Sequence, residues 1–246
     1  MTPGPPTDVE AQIAAALAAV DVDTVRAEYR RQNEFFFRER FLPSRLVDRF
    51  VAEVERVRPA IHRNYIPRHK KGGSVSAFTL ATEAPAITAL YRSPSFLRFV
   101  QAVTGRRVQH CPARDPHAWA LYFYTEPGDH IGYHFDTSYY NGERFTVLLG
   151  LIERSTSRLV AQPYKRLPDH EPVELSLATT PGTLVLFHGD KLWHAITPLG
   201  EDEERVSLTL EYVTDPGMRP VKRLISNLKD SVAYFGFRSV FGGARR

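Results

Sequence analysis

His134-Phe135-Asp136 sets an imidazole and a carboxylate two residues apart. On a strand, positions i and i+2 share a face, so these two groups converge while Phe135 points the other way. Two such ligands hold a divalent metal poorly. His194, in Trp193-His194-Ala195-Ile196-Thr197-Pro198 and 60 residues beyond His134, supplies a third. Two histidines and one carboxylate are the facial triad of non-haem ferrous iron, which leaves adjacent coordination positions open. A bidentate co-substrate and O2 can then bind side by side, which a closed four-ligand zinc site would not allow. His188 is the rival for the third ligand, and His130, at an even offset from His134, either lines a pocket or sits in a surface turn.

Arg205-Val206-Ser207 follows His194 by 11 residues and opens a predicted strand. Arg205 and Ser207 share a face there. A guanidinium fork matches a carboxylate bidentately, and a hydroxyl adds a further hydrogen bond. A partly buried arginine is costly unless an anion meets it. The arrangement therefore predicts a dicarboxylate, chelated to iron at one end and held by Arg205 at the other.

The elements that must position these groups fall into two textures. The first hundred residues read mainly as helices: 11–20, a second one N-capped by Asp21 or Asp23, and a third opened by Pro43-Ser44. In the third, Leu46, Val47, Phe50, Val51, Val54 and Val57 recur at helical spacing. Two shorter helices, 86–91 and 96–103, follow. A strand is predicted over 74–80, and the basic run Arg68-His69-Lys70-Lys71-Gly72-Gly73 reads as a loop because of its glycines. From Cys111 onward, short apolar runs at 118–124, 132–135, 145–152, 173–177, 183–187, 194–196 and 206–213 are separated by Gly, Pro, Asn and Asp. That spacing predicts a β-sandwich or barrel. A last helix is expected around 224–241. The fold class is α+β, with a helical N-terminal layer supporting a β core.

In these residues the sequence resembles the Fe(II)/2-oxoglutarate-dependent dioxygenase superfamily, in its prolyl-hydroxylase-like branch. The likeness rests on His134-Phe135-Asp136, Pro181-Gly182-Thr183-Leu184-Val185-Leu186-Phe187, His194-Ala195-Ile196, Arg205-Val206-Ser207 and Tyr124, ten residues before His134. It covers roughly residues 115–215. It implies a double-stranded β-helix (a jelly roll of cupin-like type), Fe(II), 2-oxoglutarate and O2 as cofactor and co-substrates, and release of succinate and CO2. Tyr122, Tyr124, Thr146, Arg205 and Ser207 are the expected 2-oxoglutarate contacts. Related halogenases have Gly or Ala in place of the aspartate, which vacates a position for halide; Asp136 therefore favours hydroxylation, with desaturation and ring closure open. Similarity of the 133–149 stretch to small-molecule enzymes of this branch implies an amino acid or a related biosynthetic intermediate as substrate. A macromolecule-modifying, peptidyl hydroxylase is the alternative. AlkB-like nucleic-acid demethylases carry a second arginine six residues after the first, where this chain has Glu211, so no nucleic-acid partner is expected.

Length and composition are compatible with this reading. A chain of 246 residues with 43% hydrophobic and 24% charged residues can bury one catalytic domain's core. The expected division is a disordered leader over 1–8 and one domain over 9–246: helical support to 110, jelly-roll core over 111–215 and a helical segment over 216–246. The formal charge is +4, with 17 Lys/Arg against 11 Asp/Glu in residues 1–110. Most of these basic residues have acidic neighbours and read as a solvated helix face. No apolar run reaches the roughly 20 residues that span a bilayer, no secretory signal opens the chain, and Cys111 stands alone. Cytoplasm is the expected location, no membrane partner is expected, and Cys111 reads as a small buried apolar residue. Tyr139, Tyr140, Asn141 and Arg144 follow the metal motif in a turn-rich segment suited to substrate contacts. Trp193 either shields the site or packs.

Overall fold

The computed structural model describes residues 6–217. In chain order it comprises helices α1 (Pro6–Ala18) and α2 (Val22–Arg31), strand β1 (Phe35–Arg38), α3 (Ser44–Val57), the hairpin β2 (His62–Ile66) and β3 (Lys70–Val75), then α4 (Ala77–Glu83), α5 (Pro85–Arg92) and α6 (Pro94–Thr104). Nine strands follow: β4 (Gln109–His110), β5 (Trp119–Tyr124), β6 (His130–His134), β7 (Arg144–Arg154), β8 (Leu159–Gln162), β9 (Leu175–Leu177), β10 (Leu184–His188), β11 (Trp193–Ile196) and β12 (Glu204–Val213). The helix predicted around 224–241 lies outside the described residues.

The strands form one curled antiparallel sheet in the order β1-β10-β7-β12-β5-β3-β6-β11-β8-β9, with β2 on β3 and β4 on β12. This is the expected double-stranded β-helix with its helical support. Period-two alternation divides β7 between two environments. Val147, Leu149 and Leu151 belong to the larger core under the helices, while Thr146 and Leu148 line an internal cavity. On β12, Val206, Leu208 and Leu210 face the helices, and Ser207, Thr209 and Glu211 face the cavity. The sheet thus builds an apolar face under the helices and a mixed inner face, where Leu148, Leu159 and Phe187 join the polar groups.

Helix α3 supplies much of the outer layer. Its Leu46, Val47, Phe50, Val54 and Val57 are buried on one face, each contributing roughly 1.5–3 kcal/mol of burial. Glu53 is buried among them because its carboxylate accepts from the Ala86 and Ile87 N–H groups at the start of α5, at 2.9 Å each. Asp21 caps α2 as expected, accepting from Asp23 N and Thr24 N at 3.1 Å.

Three expectations are corrected. Pro6, Thr7 and Asp8, expected within a leader, open α1 instead. The strand expected over 74–80 is displaced: β3 ends at Val75, and α4 occupies Ala77–Glu83. The basic run taken as a loop is mostly strand. Only 67–69 turn, and Gly72 and Gly73 lie within β3. A Cβ on Gly73 would stand 2.5 Å from Ile61 Cγ2, so glycine here permits close packing rather than a turn.

Candidate active site

Strands β6 and β11 pair so that His194 stands opposite His134, with ring centroids 4.3 Å apart. Asp136 follows two residues after His134, just past the end of β6, and its Oδ1 lies 3.4 Å from His134 Nε2. One donor atom from each of His134, Asp136 and His194 falls within 4.8 Å of the others, a spacing that could hold one metal ion. Both imidazoles are oriented alike: His134 Nδ1 lies 2.9 Å from Gly132 O, and His194 Nδ1 lies 3.2 Å from Leu192 O. A carbonyl can only accept, so each Nδ1 carries the proton and each Nε2 keeps its lone pair toward the cluster. Burial, with His134 nearby, pushes His194 down to about 4, so it is a neutral ligand at neutral pH. Burial alone would raise Asp136. The adjoining His134 imidazole, then His194 and the Arg144 guanidinium, instead hold it well below the usual carboxylate range.

The cluster opens into a cavity of about 280 Å³. Toward one end lie Tyr122, Tyr124 and Ser207, which line it. Arg205 stands two residues further along β12, beside Tyr124 in register, and is fully buried. Its Nη1 is 3.2 Å from Glu153 Oε2. Its Nε and Nη2, which form one edge of the fork, are buried without a hydrogen-bond partner among the described residues. An open guanidinium edge in a buried position is a demand for a carboxylate. Arg205 itself is not among the lining residues, so the cavity surface there is formed by Ser207 and Tyr124. The Tyr122 hydroxyl is engaged by His117 Nδ1 at 3.2 Å.

Toward the other end, Arg144 donates from Nε to Glu211 Oε2 at 2.7 Å. Thr146 Oγ1 lies 2.9 Å from Asp136 Oδ2 and 3.0 Å from Glu211 Oε2. The Thr146 hydroxyl, expected to meet 2-oxoglutarate, is therefore turned to the metal-site carboxylate. Asp115 accepts from His117 N at 2.8 Å and from the Tyr140 hydroxyl.

The weaker expectations divide. Tyr139, Tyr140 and Arg144 line the cavity, and Asn141 does not. His117, read as an ordinary satisfied or solvated histidine, lines it as well. His188 faces away, with Nε2 3.4 Å from Glu143 Oε1. His130 is absent from the lining, and Trp193 packs on Tyr133 and Phe135. Sequence reasoning missed Glu153, Asp115 and Gly189. A Cβ on Gly189 would stand 2.3 Å from Asp136 O, so only glycine lets the β10–β11 turn pass behind that aspartate.

Comparison with known proteins agrees with this architecture. SnoN, described as a non-haem α-ketoglutarate-dependent epimerase from nogalamycin biosynthesis, is 14% identical, with a TM-score of 0.64 over 78% of this chain and 81% of that one. A prolyl hydroxylase from Trichoplax adhaerens, solved with a hypoxia-inducible-factor peptide, is 15% identical, with a TM-score of 0.64 over 83% and 92%. A Pseudomonas putida prolyl-4-hydroxylase is 18% identical, with a TM-score of 0.54 over 74% and 92%. The fold is that of the Fe(II)/2-oxoglutarate-dependent oxygenases. Residues 17–141, just over half the chain, match the family described as HalD, Halogenase D, and the chain belongs to that family. The match spans α2 to β6 and includes His134 and Asp136. No curated protein matches the chain in sequence. No helix among the described residues is long and apolar enough to cross a membrane.

Proposed function

We propose that the protein is an Fe(II)/2-oxoglutarate-dependent oxygenase that hydroxylates an unactivated C–H bond of a small molecule, an amino acid or a related biosynthetic intermediate. The observation that carries this reading is the convergence of His134, Asp136 and His194 beside a cavity, with both Nε2 lone pairs available. These three side chains would hold Fe(II), which with bound 2-oxoglutarate supplies the O2 chemistry that yields succinate, CO2 and an oxygenated product. Arg205, through its open Nε/Nη2 edge, and Ser207 would take the far carboxylate of 2-oxoglutarate. Tyr124 and Tyr122 would wall that end against water. Thr146 would fix the Asp136 carboxylate.

The family name suggests halogenation, but Asp136 argues for hydroxylation. A halide needs the position that this carboxylate would fill. The charged lining from Asp115, Arg144 and Glu211 favours a small polar substrate over a peptide loop.

Two measurements test the reading. Anaerobic addition of Fe(II) and 2-oxoglutarate should give a weak charge-transfer absorbance that Asp136→Ala abolishes. Under O2, a panel of amino acids and carrier-linked acids should yield succinate together with a product heavier by one oxygen atom. Absence of the absorbance in the unaltered protein would sink the proposal.

A further inference from the structure

The residues that alternate with the metal-site ligands form an aromatic array of their own. Tyr133 and Phe135 flank His134 in the chain, and Trp193 precedes His194. The Tyr133 and Trp193 rings stack with centroids 5.8 Å apart and planes 10° from parallel. Phe135 packs on Trp193 at 4.7 Å, tilted by 48°. The Arg166 guanidinium lies 3.9 Å from the centre of the Phe135 ring. Each of the three ligands is thus the chain neighbour of a ring in this array, and Arg166 covers its Phe135 end.

Asp136 is the ligand in most need of such support. Strand β6 ends at His134, and residues 135–138 make no backbone–backbone hydrogen bond among the described residues. The ladder that sets His134 opposite His194 therefore stops short of Asp136. Thr146 holds one of its carboxylate oxygens at 2.9 Å, and Gly189 backs its main chain. Phe135 is the remaining handle, because a shift of its ring would carry the adjoining Asp136 with it.

The 163–174 loop between β8 and β9 presents Arg166 and is fastened at both ends. Asn33 Nδ2 donates to Pro163 O at 2.7 Å, and the Tyr164 hydroxyl donates to Arg31 O at 3.2 Å. Glu174 accepts from Gln162 Nε2 at 2.7 Å and from the Tyr133 hydroxyl. Between these ends the Leu167 N–H donates to Tyr164 O at 2.9 Å, closing a turn that contains Arg166. Among the described residues the Arg166 guanidinium takes part in no hydrogen bond or ion pair, so the ring is what engages it. A cation is drawn to the negative face of a ring's quadrupole. Arg166 is exposed and is not among the cavity-lining residues.

We propose that Arg166 is a positioning residue: by clamping Phe135 against Trp193, it holds Asp136 where that carboxylate can share an ion with His134 and His194. This assignment rests on the oxygenase reading for the identity of the ion, but the effect it describes is on metal binding and is measured without turnover. The sign of that effect separates a clamp from a bare charge. A guanidinium near a dication repels it, so charge alone predicts tighter Fe(II) binding once Arg166 is neutralised. A clamp predicts weaker binding.

The test is anaerobic Fe(II) titration of the whole chain and its variants, beside thermal unfolding of each without metal. Arg166→Met should bind Fe(II) about 5-fold more weakly, the size of one cation–ring contact, with its metal-free unfolding midpoint unchanged. Arg166→Lys keeps a cation for the ring and should retain most of the affinity. Arg166→Glu, which sets an anion over that face, should lose the most. Lys165→Met removes the same charge from the adjacent exposed residue and should bind at least as tightly as the unaltered protein. Equal or tighter binding by Arg166→Met would overturn the proposal. So would an equal loss in Lys165→Met or Arg166→Lys, or a loss that comes with a lower metal-free midpoint. If the variants follow the expected series but Fe(II) and 2-oxoglutarate give no absorbance, the clamp stands and the oxygenase reading alone fails.

Discussion

Thr146 Oγ1 stands 2.9 Å from Asp136 Oδ2 and 3.0 Å from Glu211 Oε2, joining the proposed metal site to a buried ion pair. One hydroxyl proton cannot serve both acceptors at once. Burial pushes Glu211 up to about 7 against the pull of Arg144, and a neutral Glu211 would supply the second proton at the expense of that ion pair. The iron-facing carboxylate is thereby held from behind by a donor, while its other oxygen faces His134.

Thr146→Val keeps the side-chain shape and removes that donor. Fe(II) affinity should fall by about 10-fold or more, the usual effect of losing a group that orients a metal ligand. Thr146→Ser should retain most of it. An anaerobic Fe(II) titration in which the valine variant matches the unaltered protein would show that Asp136 is positioned by other means.

The metal cluster was legible because its spacing is local. His134 and Asp136 share one strand end, and His194 follows an apolar run that reads as a strand. The period-two runs gave most of the later strands for the same reason. What escaped depends on pairings distant in sequence. Glu153 meets Arg205 only because β7 and β12 pair in that register, past an irregularity between Val206 and Ser207. Asp115 reaches the Tyr140 hydroxyl from a loop before β5. The Lys70–Val75 strand was hidden because glycine signals a turn locally, whereas here it admits neighbouring atoms. Strand β1 was missed because four residues, Phe35–Arg38, are stabilised by pairing with β10, which no local pattern reveals.

Cys111 is buried, and burial, with the Asp115 and Glu211 charges, raises its thiol well above the ordinary value. The thiolate is the reactive form. The native protein should therefore resist thiol reagents at mildly alkaline pH and react with one equivalent once unfolded. Rapid labelling of the folded protein would contradict the burial.

Burial lowers the pKa of His110, despite its Nε2 contact with Tyr91 O at 2.9 Å. A histidine depressed in the folded state takes up its proton more readily when unfolded. Its neutral form is favourable above the ordinary histidine range, and the associated stability is lost as pH falls through that range. His110→Gln should flatten this part of the stability profile, read from denaturant midpoints at successive pH values. An unchanged slope would place the acid sensitivity elsewhere.

Arg205 and Glu153 are both almost fully buried, with side-chain exposures of 0% and 5% and a 3.2 Å contact. Removing one member of such a pair strands the other charge, typically at a cost of about 3–5 kcal/mol. Arg205→Met should therefore lower the unfolding midpoint and abolish 2-oxoglutarate binding together. Adding Glu153→Gln should restore much of the midpoint, because the stranded carboxylate is gone, but it should not restore binding. Glu153→Gln alone should behave oppositely. It leaves a buried guanidinium without its counter-charge, so the protein is less stable alone, yet gains more from added 2-oxoglutarate, because the ligand then supplies the missing anion. Thermal unfolding with and without 2-oxoglutarate separates these cases. A double variant that binds 2-oxoglutarate normally would mean that Arg205 serves the fold and that another group holds the co-substrate.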